Sequence, residues 1–397
     1  MMRRNLFLLC FLCLVATNNF AATTLSPQTF KVLQQIEQLL DRKAYGDAIA
    51  KTKKQLESVS VPLEKSLLLH ALASAYVLQG KHLQASKALE QALATGALPE
   101  TQRAQVLYTL GQLYLGLDQP GKAVKALEQW LQSAPRVQPQ DRVMLAQAYA
   151  QLKHYRKALR QINRALQETN QPQEEWIALR LAIHYQLKNY QAAAADAKTL
   201  IRLHPDRERF WQQLVGLYQL AGHPMTATAA MELESHLGLL DEERELLNLI
   251  SLLRAIHTPY LAALRLKTAI NQHEIRANYK HLDLLATLWA EAREFERAIQ
   301  TLKRAAKLSH DSKIWLRLGQ LYYEQEKWQE AADALRTAIQ RGKLENPGKT
   351  WLLLGTVYLE LEQWKHSRQA FQQARKYPKT KRFADQWLNY LAHLPIT

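Results

Sequence analysis

Hydrophobic and polar positions in this chain follow the period of a helix, and that pattern itself recurs. In residues 315–338, WLRLGQLYYEQEKWQEAADALRTA, Trp315, Leu318, Gly319 and Tyr322 fall at i, i+3, i+4 and i+7 and form one stripe. Trp328, Ala331, Leu335 and Ala338 form a second, and the polar Glu-Gln-Glu-Lys between them predicts the turn of a helical hairpin. The Gly and Ala are small where two helices must approach, while Trp and Tyr fill the space to either side. The small position returns as Ala48, Ala85, Ala123, Ala158, Ala193, Ala227, Ala262, Ala298, Ala331 and Ser367, at intervals of 33 to 38 residues. Nine residues before each stands a large residue: Leu39, Tyr76, Tyr114, Tyr149, His184, Tyr218, Leu253, Trp289, Tyr322 and Tyr358. Only His184 is off type. Hairpins in register predict an all-α chain built from one repeated unit.

The W-x2-LG-x2-Y and A-x3-F signs within residues 315–338 resemble the tetratricopeptide (TPR) repeat, with Leu335 where the Phe would stand. The resemblance implies a helical-hairpin solenoid, a right-handed superhelix of about ten repeats over residues 22–378. Residues 379–397 predict a C-terminal capping helix with Phe383, Trp387, Leu388 and Leu391 on one face. In the first hairpin Gln35 and Thr52 replace apolar residues, as the outer face of a terminal repeat requires. Pro135 and Pro205 follow second helices, where a helix must stop. The middle departs from the pattern: Arg180 and Leu181 replace small residues, Gly222-His223-Pro224 replaces an aromatic turn, and Glu234 enters a normally small position. Such departures have two readings, drift at tolerant positions or a partner site.

At the N-terminus, Arg3 and Arg4 precede an apolar run over residues 6–16 and a polar stop at Thr17, Asn18 and Asn19. This order reads as a signal peptide over residues 1–21, cleaved near Ala21, which would place the protein in the periplasm. The competing reading, a retained membrane anchor, needs about 20 apolar residues. Both cysteines, Cys10 and Cys13, fall in the segment to be removed, so no disulfide or thiolate chemistry is expected.

The formal charge of +16 falls by two, to +14, without Arg3 and Arg4. Many bases lie on second helices, as in Arg156, Lys157, Arg160 and Arg164, or Arg297, Lys303, Arg304 and Lys307. Two readings stand: a solvated face, or weak electrostatic contact with acidic partners or an anionic envelope surface. Nucleic acid is not expected as a partner of an exported chain whose charges have no aromatic platform among them. No HExxH, phosphate loop, G-x-S-x-G or cysteine cluster is present, and the scattered histidines share no ligand spacing within a helix. The expectation is a non-enzyme with no cofactor, no metal and no catalytic residue.

First helices of a TPR stack line its concave groove. The groove positions here are His70, Ser74, Tyr108, Gln112, Met144 and Gln147 in the N-terminal half. Later they are Arg209, Gln212, Gln219, Arg244, Asn248, Lys313 and Gln320. The Lys and Asn pair with which some TPR co-chaperones grip a terminal carboxylate is missing. Amide, hydroxyl, thioether and aromatic groups suit a protein or peptide partner bound by hydrogen bonds and apolar contact.

Four stretches carry a narrower resemblance over most of the chain: GLLDEERELLNLISLL (238–253), LRLGQLYYEQEKWQEAADAL (316–335), NPGKTWLLLG (346–355) and KTKRFADQWLNYL (379–391). They resemble the bacterial periplasmic TPR proteins associated with TonB energy-transduction systems. The resemblance implies an accessory scaffold for iron-carrier uptake, with TonB and Exb proteins as partners. The alternative is a TPR adaptor in another envelope process: cell wall, polysaccharide or pilus assembly.

Overall fold

The computed structural model describes residues 25–240 and 242–393; the expected leader, Asp241 and residues 394–397 lie outside it. Every regular element among the described residues is a helix, as the period requires. The chain divides into two compact units. The first, Met1–Asn189, holds α1 (Pro27–Asp41), α2 (Tyr45–Ser58), α3 (Pro62–Leu78), α4 (His82–Ala94), α5 (Glu100–Gly116), α6 (Pro120–Ser133), α7 (Pro139–Gln151), α8 (Tyr155–Gln167) and α9 (Glu174–Gln186). The second, Tyr190–Thr397, begins with α10 (Tyr190–Leu203), α11 (Glu208–Leu220), α12 (Pro224–His236), α13 (Glu243–Ala255), α14 (Pro259–Asn271) and α15 (Tyr279–Glu291). It continues with α16 (Phe295–Leu308), α17 (Ser312–Glu324), α18 (Trp328–Arg341), α19 (Pro347–Glu360), α20 (Trp364–Arg375) and α21 (Lys381–Ala392). Within each unit successive helices pack on one another, and in the first unit α1 also touches α3 and α7 touches α9. No helix of the described residues is long and apolar enough to cross a membrane.

Local chemistry starts the helices where the pattern puts them. Pro occupies the first turn of α1, α3, α6, α7, α12, α14 and α19, where its missing N–H leaves no bond unmade. Ser26, Asn278 and Asp311 cap α1, α15 and α17 by accepting from the N–H groups of Thr29, His281 and Lys313.

One turn joins each odd-numbered helix to the even-numbered helix that follows. Its central residue takes a left-handed backbone in all ten cases: Lys43, Gly80, Asp118, Lys153, Lys188, Gly222, His257, Arg293, Glu326 and Glu362, with φ between 55° and 78°. Before α18, Lys327 N–H donates back to Tyr322 C=O at 2.9 Å and Glu326 N–H to Tyr323 C=O at 3.0 Å, the paired bonds of a Schellman motif. Lys327 C=O then accepts from Ala331 N–H at 2.9 Å. These bonds account for the nine-residue step between the two columns: five residues across the turn, then four along the helix. The left-handed position was not legible beforehand, because only two of the ten residues are Gly.

With the turn fixed, residues sixteen apart meet at the crossing of the two helices. A Cβ built on Gly111 would come within 2.4 Å of Leu127 Cδ2, on Gly319 within 2.7 Å of Leu335 Cγ, and on Gly355 within 2.5 Å of Phe371 Cε1. At these three crossings a large residue on the second helix requires a small one opposite it. In the first hairpin the sizes are reversed: Ile36 and Thr52 are both fully buried, and Thr52 Oγ1 donates to Ala48 C=O at 2.6 Å. Thr52 therefore does not lie on a polar outer face as expected; it is a small core residue beneath a large one.

The C-terminal helix also differs in its facing. Ala384 and Leu391 are buried and Trp387 stacks on Phe371 at 5.6 Å, while Phe383 is 56% exposed. Of the expected stripe, Trp387, Leu388 and Leu391 keep their packed places and only Phe383 gives way, to Ala384. Arg375 of α20 meets Asp385 of α21 at 2.6 Å across the same contact.

The turn generates a test. Arg293 is exposed, so its substitution reports backbone conformation. Arg293→Gly should hold or raise stability by up to about 1 kcal/mol, and Arg293→Val should lose about 1–2 kcal/mol. Denaturant melts of the two variants decide it; a Val variant as stable as the Gly variant would contradict the left-handed assignment.

Candidate functional site

The expected groove residues do not all behave alike in the first unit. His70 is half-buried, and burial holds its imidazole below the usual pKa. Its C=O accepts from Ser74 Oγ at 3.2 Å. Tyr108 OH donates to Asp141 Oδ1 at 2.9 Å, and Asp141 also caps α7 by accepting from Gln138 N–H at 2.8 Å. Tyr108 therefore bonds one first helix to the next. Gln112 is half-buried and Gln147 exposed. Met144 is a correction: it is only 7% exposed and belongs to the core formed with Leu145 and Tyr149, because the expected groove position falls on the inward side of α7.

In the second unit Gln212, Gln219, Arg244, Asn248 and Gln320 are exposed, as are Arg209 and Lys313. Gln212 Nε2 donates to Glu245 Oε1 at 2.9 Å and to Glu208, joining α11 to α13. Asn248 Nδ2 lies 3.8 Å from Met231 Sδ, and Arg244 lies 3.4 Å from Glu242. Arg317 binds Asp283 and Thr287 in the same manner across α15 and α17. Many polar groups of this row thus hold neighbouring first helices together.

A regularity emerges once the repeat register is known. Nine residues before Tyr218, Leu253, Trp289, Tyr322 and Tyr358 stand Arg209, Arg244, Lys280, Lys313 and Lys349, all exposed. The matching positions in the first unit, Phe30, Leu67, Gln105, Gln140 and Glu175, hold no base. Each base sits in the first turn of its helix, where the dipole disfavours positive charge. Helix stability therefore does not explain the row. Lys280 and Lys349 were missed in the sequence because the basic residues were counted along second helices; counting from the repeat column exposes them.

Lys313 and Lys349 share a cavity of 300 Å³ between α17 and α19, with Arg317, Gln320, Glu345 and Asn346 on its rim and Leu316, Leu344 and Leu353 along its walls. It offers two ammonium groups, the Arg317 guanidinium, two amides and apolar groups, against one carboxylate, that of Glu345. These suit a carboxylate carried beside apolar groups.

Glu234, on the inward side of α12, is fully buried, and among the described residues neither carboxylate oxygen has a hydrogen-bond partner. Burial first, then the charges of Glu245 and Glu208, push its pKa up to about 7. Its uncharged form therefore fits the fold best.

Family models for the tetratricopeptide repeat match residues 64–136 and 284–346. No curated protein matches the chain in sequence. Among solved structures, a tetratricopeptide repeat protein from Parabacteroides merdae is 16% identical over 78% of this chain and 98% of its own, with a TM-score of 0.38. YrrB, described as a TPR protein with an unusual peptide-binding site, is 19% identical over 44% of this chain and 86% of its own, with a TM-score of 0.39. MamA is 16% identical over 43% of this chain and 93% of its own, with a TM-score of 0.37.

The Glu234 carboxyl makes stability depend on pH. Because its folded pKa is raised, its favourable contribution is complete below the ordinary value of 4.5 and is lost as pH rises through about 7. Against Glu234→Gln, the native protein should lose relative stability steadily between these pH values. Denaturant melts across that range test this; a constant difference between the two proteins would contradict it.

Proposed function

Because the chain carries tetratricopeptide repeats in both units, we propose that it is a non-catalytic scaffold for protein partners, exported to the periplasm as an accessory of a TonB-type system for iron-carrier uptake. The first helices of the second unit receive an extended partner segment that bears carboxylates beside apolar side chains. The observation that carries this reading is the row of five bases, two of which meet in the cavity between α17 and α19. Neither Lys313 nor Lys349 has an ion-pair partner among the described residues, so their charge is available to a ligand. Charge-assisted hydrogen bonds to a carboxylate are roughly twice as strong as neutral ones. Export is supported by the charged, apolar and small-residue order of residues 1–21. The TonB association is supported by the resemblance of residues 316–335 and 346–355, the same stretches that supply Gln320, Asn346 and Lys349.

A photocrosslinker at Gln320 in intact cells, followed by mass spectrometry, tests the reading. Capture of TonB or Exb proteins by a chain that has lost about 21 residues supports it. Capture of a cell-wall, polysaccharide or pilus protein replaces the TonB assignment with the adaptor alternative, and cytoplasmic recovery with Met1 retained overturns export. With the captured partner, Lys313→Ala together with Lys349→Ala should weaken binding mainly through faster dissociation. Reversing Arg156, Arg160 and Arg164 to Glu should mainly slow association, an effect that salt removes. Binding that survives the lysine changes but is lost with the arginine changes even in high salt would move the site to the second helices.

A further inference from the structure

A larger groove lies among α10, α11 and α12 of the second unit and shares no lining residue with the cavity of Lys313 and Lys349. Its volume is 680 Å³, within the range of about 300–1,000 Å³ typical of ligand sites. Trp211, Leu214 and Tyr218 of α11 form its floor, and two second helices, α10 and α12, form its walls. The α12 wall is unusual. Every other second helix carries Lys or Arg, whereas α12, PMTATAAMELESH, has neither. It presents Ala229, Ala230 and a 50% exposed Leu233 to the groove, and Met225 at its start is 71% exposed. The α10 wall supplies the only charged lining groups, Lys198 and Arg202, one helical turn apart. Lys198 lies 5.6 Å from the Tyr218 ring centroid and Arg202 donates to Thr199 Oγ1 at 3.0 Å. Neither meets a carboxylate among the described residues, unlike Lys122, Arg254, Lys327 and Arg375, which meet Glu90, Glu291, Glu296 and Asp385.

From this arrangement we infer that the trench between α10 and α12 docks an acidic amphipathic helix of a partner protein. The walls run over residues 195–202 and 226–233, about two helical turns, which matches a helix presenting apolar anchors at i, i+3 or i+4, and i+7. The anchors rest on the buried floor of Trp211 and Tyr218 and remove the exposed apolar surface of Leu233, Ala229 and Ala230 from water. Acidic residues flanking the anchors on one side meet Lys198 and Arg202, which fixes the orientation of the bound helix. The absence of bases on α12 leaves that wall free for close apolar contact.

The test uses the full chain and three labelled peptides of about 14 residues: leucine and glutamate with leucines at i, i+3, i+4 and i+7, the same composition with the leucines scrambled, and the amphipathic pattern with lysine for glutamate. Fluorescence anisotropy should show preference for the first peptide, weakened about tenfold by Ala230→Phe, which fills the groove from an accessible wall. Lys198→Glu with Arg202→Glu should shift preference to the lysine peptide, and Lys87→Ala, at an exposed position of α4 in the first unit, should leave all three affinities unchanged. Equal binding of the scrambled peptide, or unchanged affinity in Ala230→Phe, would show attraction to general positive charge and overturn the proposal. A concentration-dependent dimer abolished by Ala230→Phe would identify a second copy of the chain as the occupant and overturn it equally.

Discussion

The left-handed turn between first and second helix is the constraint on which the rest of the structure depends. Its two backward hydrogen bonds end one helix, and the carbonyl that follows starts the next. Because the turn has one length and one shape, the large residue before it and the small residue after it stand nine positions apart throughout. The same geometry brings residues sixteen apart to the crossing, where Gly319 lies under Leu335 and Gly355 under Phe371. At such crossings close packing permits one large side chain; α11 with α12 and α13 with α14 depart from this, since Val215 with Met231 and Ile250 with Leu266 are large and buried on both helices.

The repeat was legible in the sequence for this reason: a turn of one length leaves its mark in every hairpin, and most crossings add a small residue opposite a large one. The turn itself was not. Lys43, Asp118, Arg293 and Glu362 hold a conformation that favours Gly, and the cost of about 1–2 kcal/mol is offset by backbone bonds that no side-chain pattern records. Facing on individual helices was legible only to within a residue, as Met144 and Phe383 show, since a step of one position turns a side chain by 100°. Tyr108 and Gln212 were identified by exposure and polarity, yet the structure engages both between neighbouring helices. Polarity on a helix surface does not separate a ligand contact from an internal bond.

Helix α12 combines two unusual features. Its outward side gives up charge for apolar surface, and its inward side buries Glu234 without a hydrogen-bond partner among the described residues. Both features oppose stability or solubility when the protein is alone. The basic row on first helices does the same through the helix dipole.

Each hairpin is set by its own turn and crossing and is coupled to its neighbours alone. Hydrogen exchange on Gly319→Leu measures this most directly, because the added side chain overpacks the crossing where even a Cβ would meet Leu335 Cγ at 2.7 Å. The account predicts early loss of amide protection in α17 and α18, a smaller loss in α16 and α19, and native protection in α11 and α12. Equal loss across all helices of the second unit would contradict it and show that the unit folds as one cooperative body.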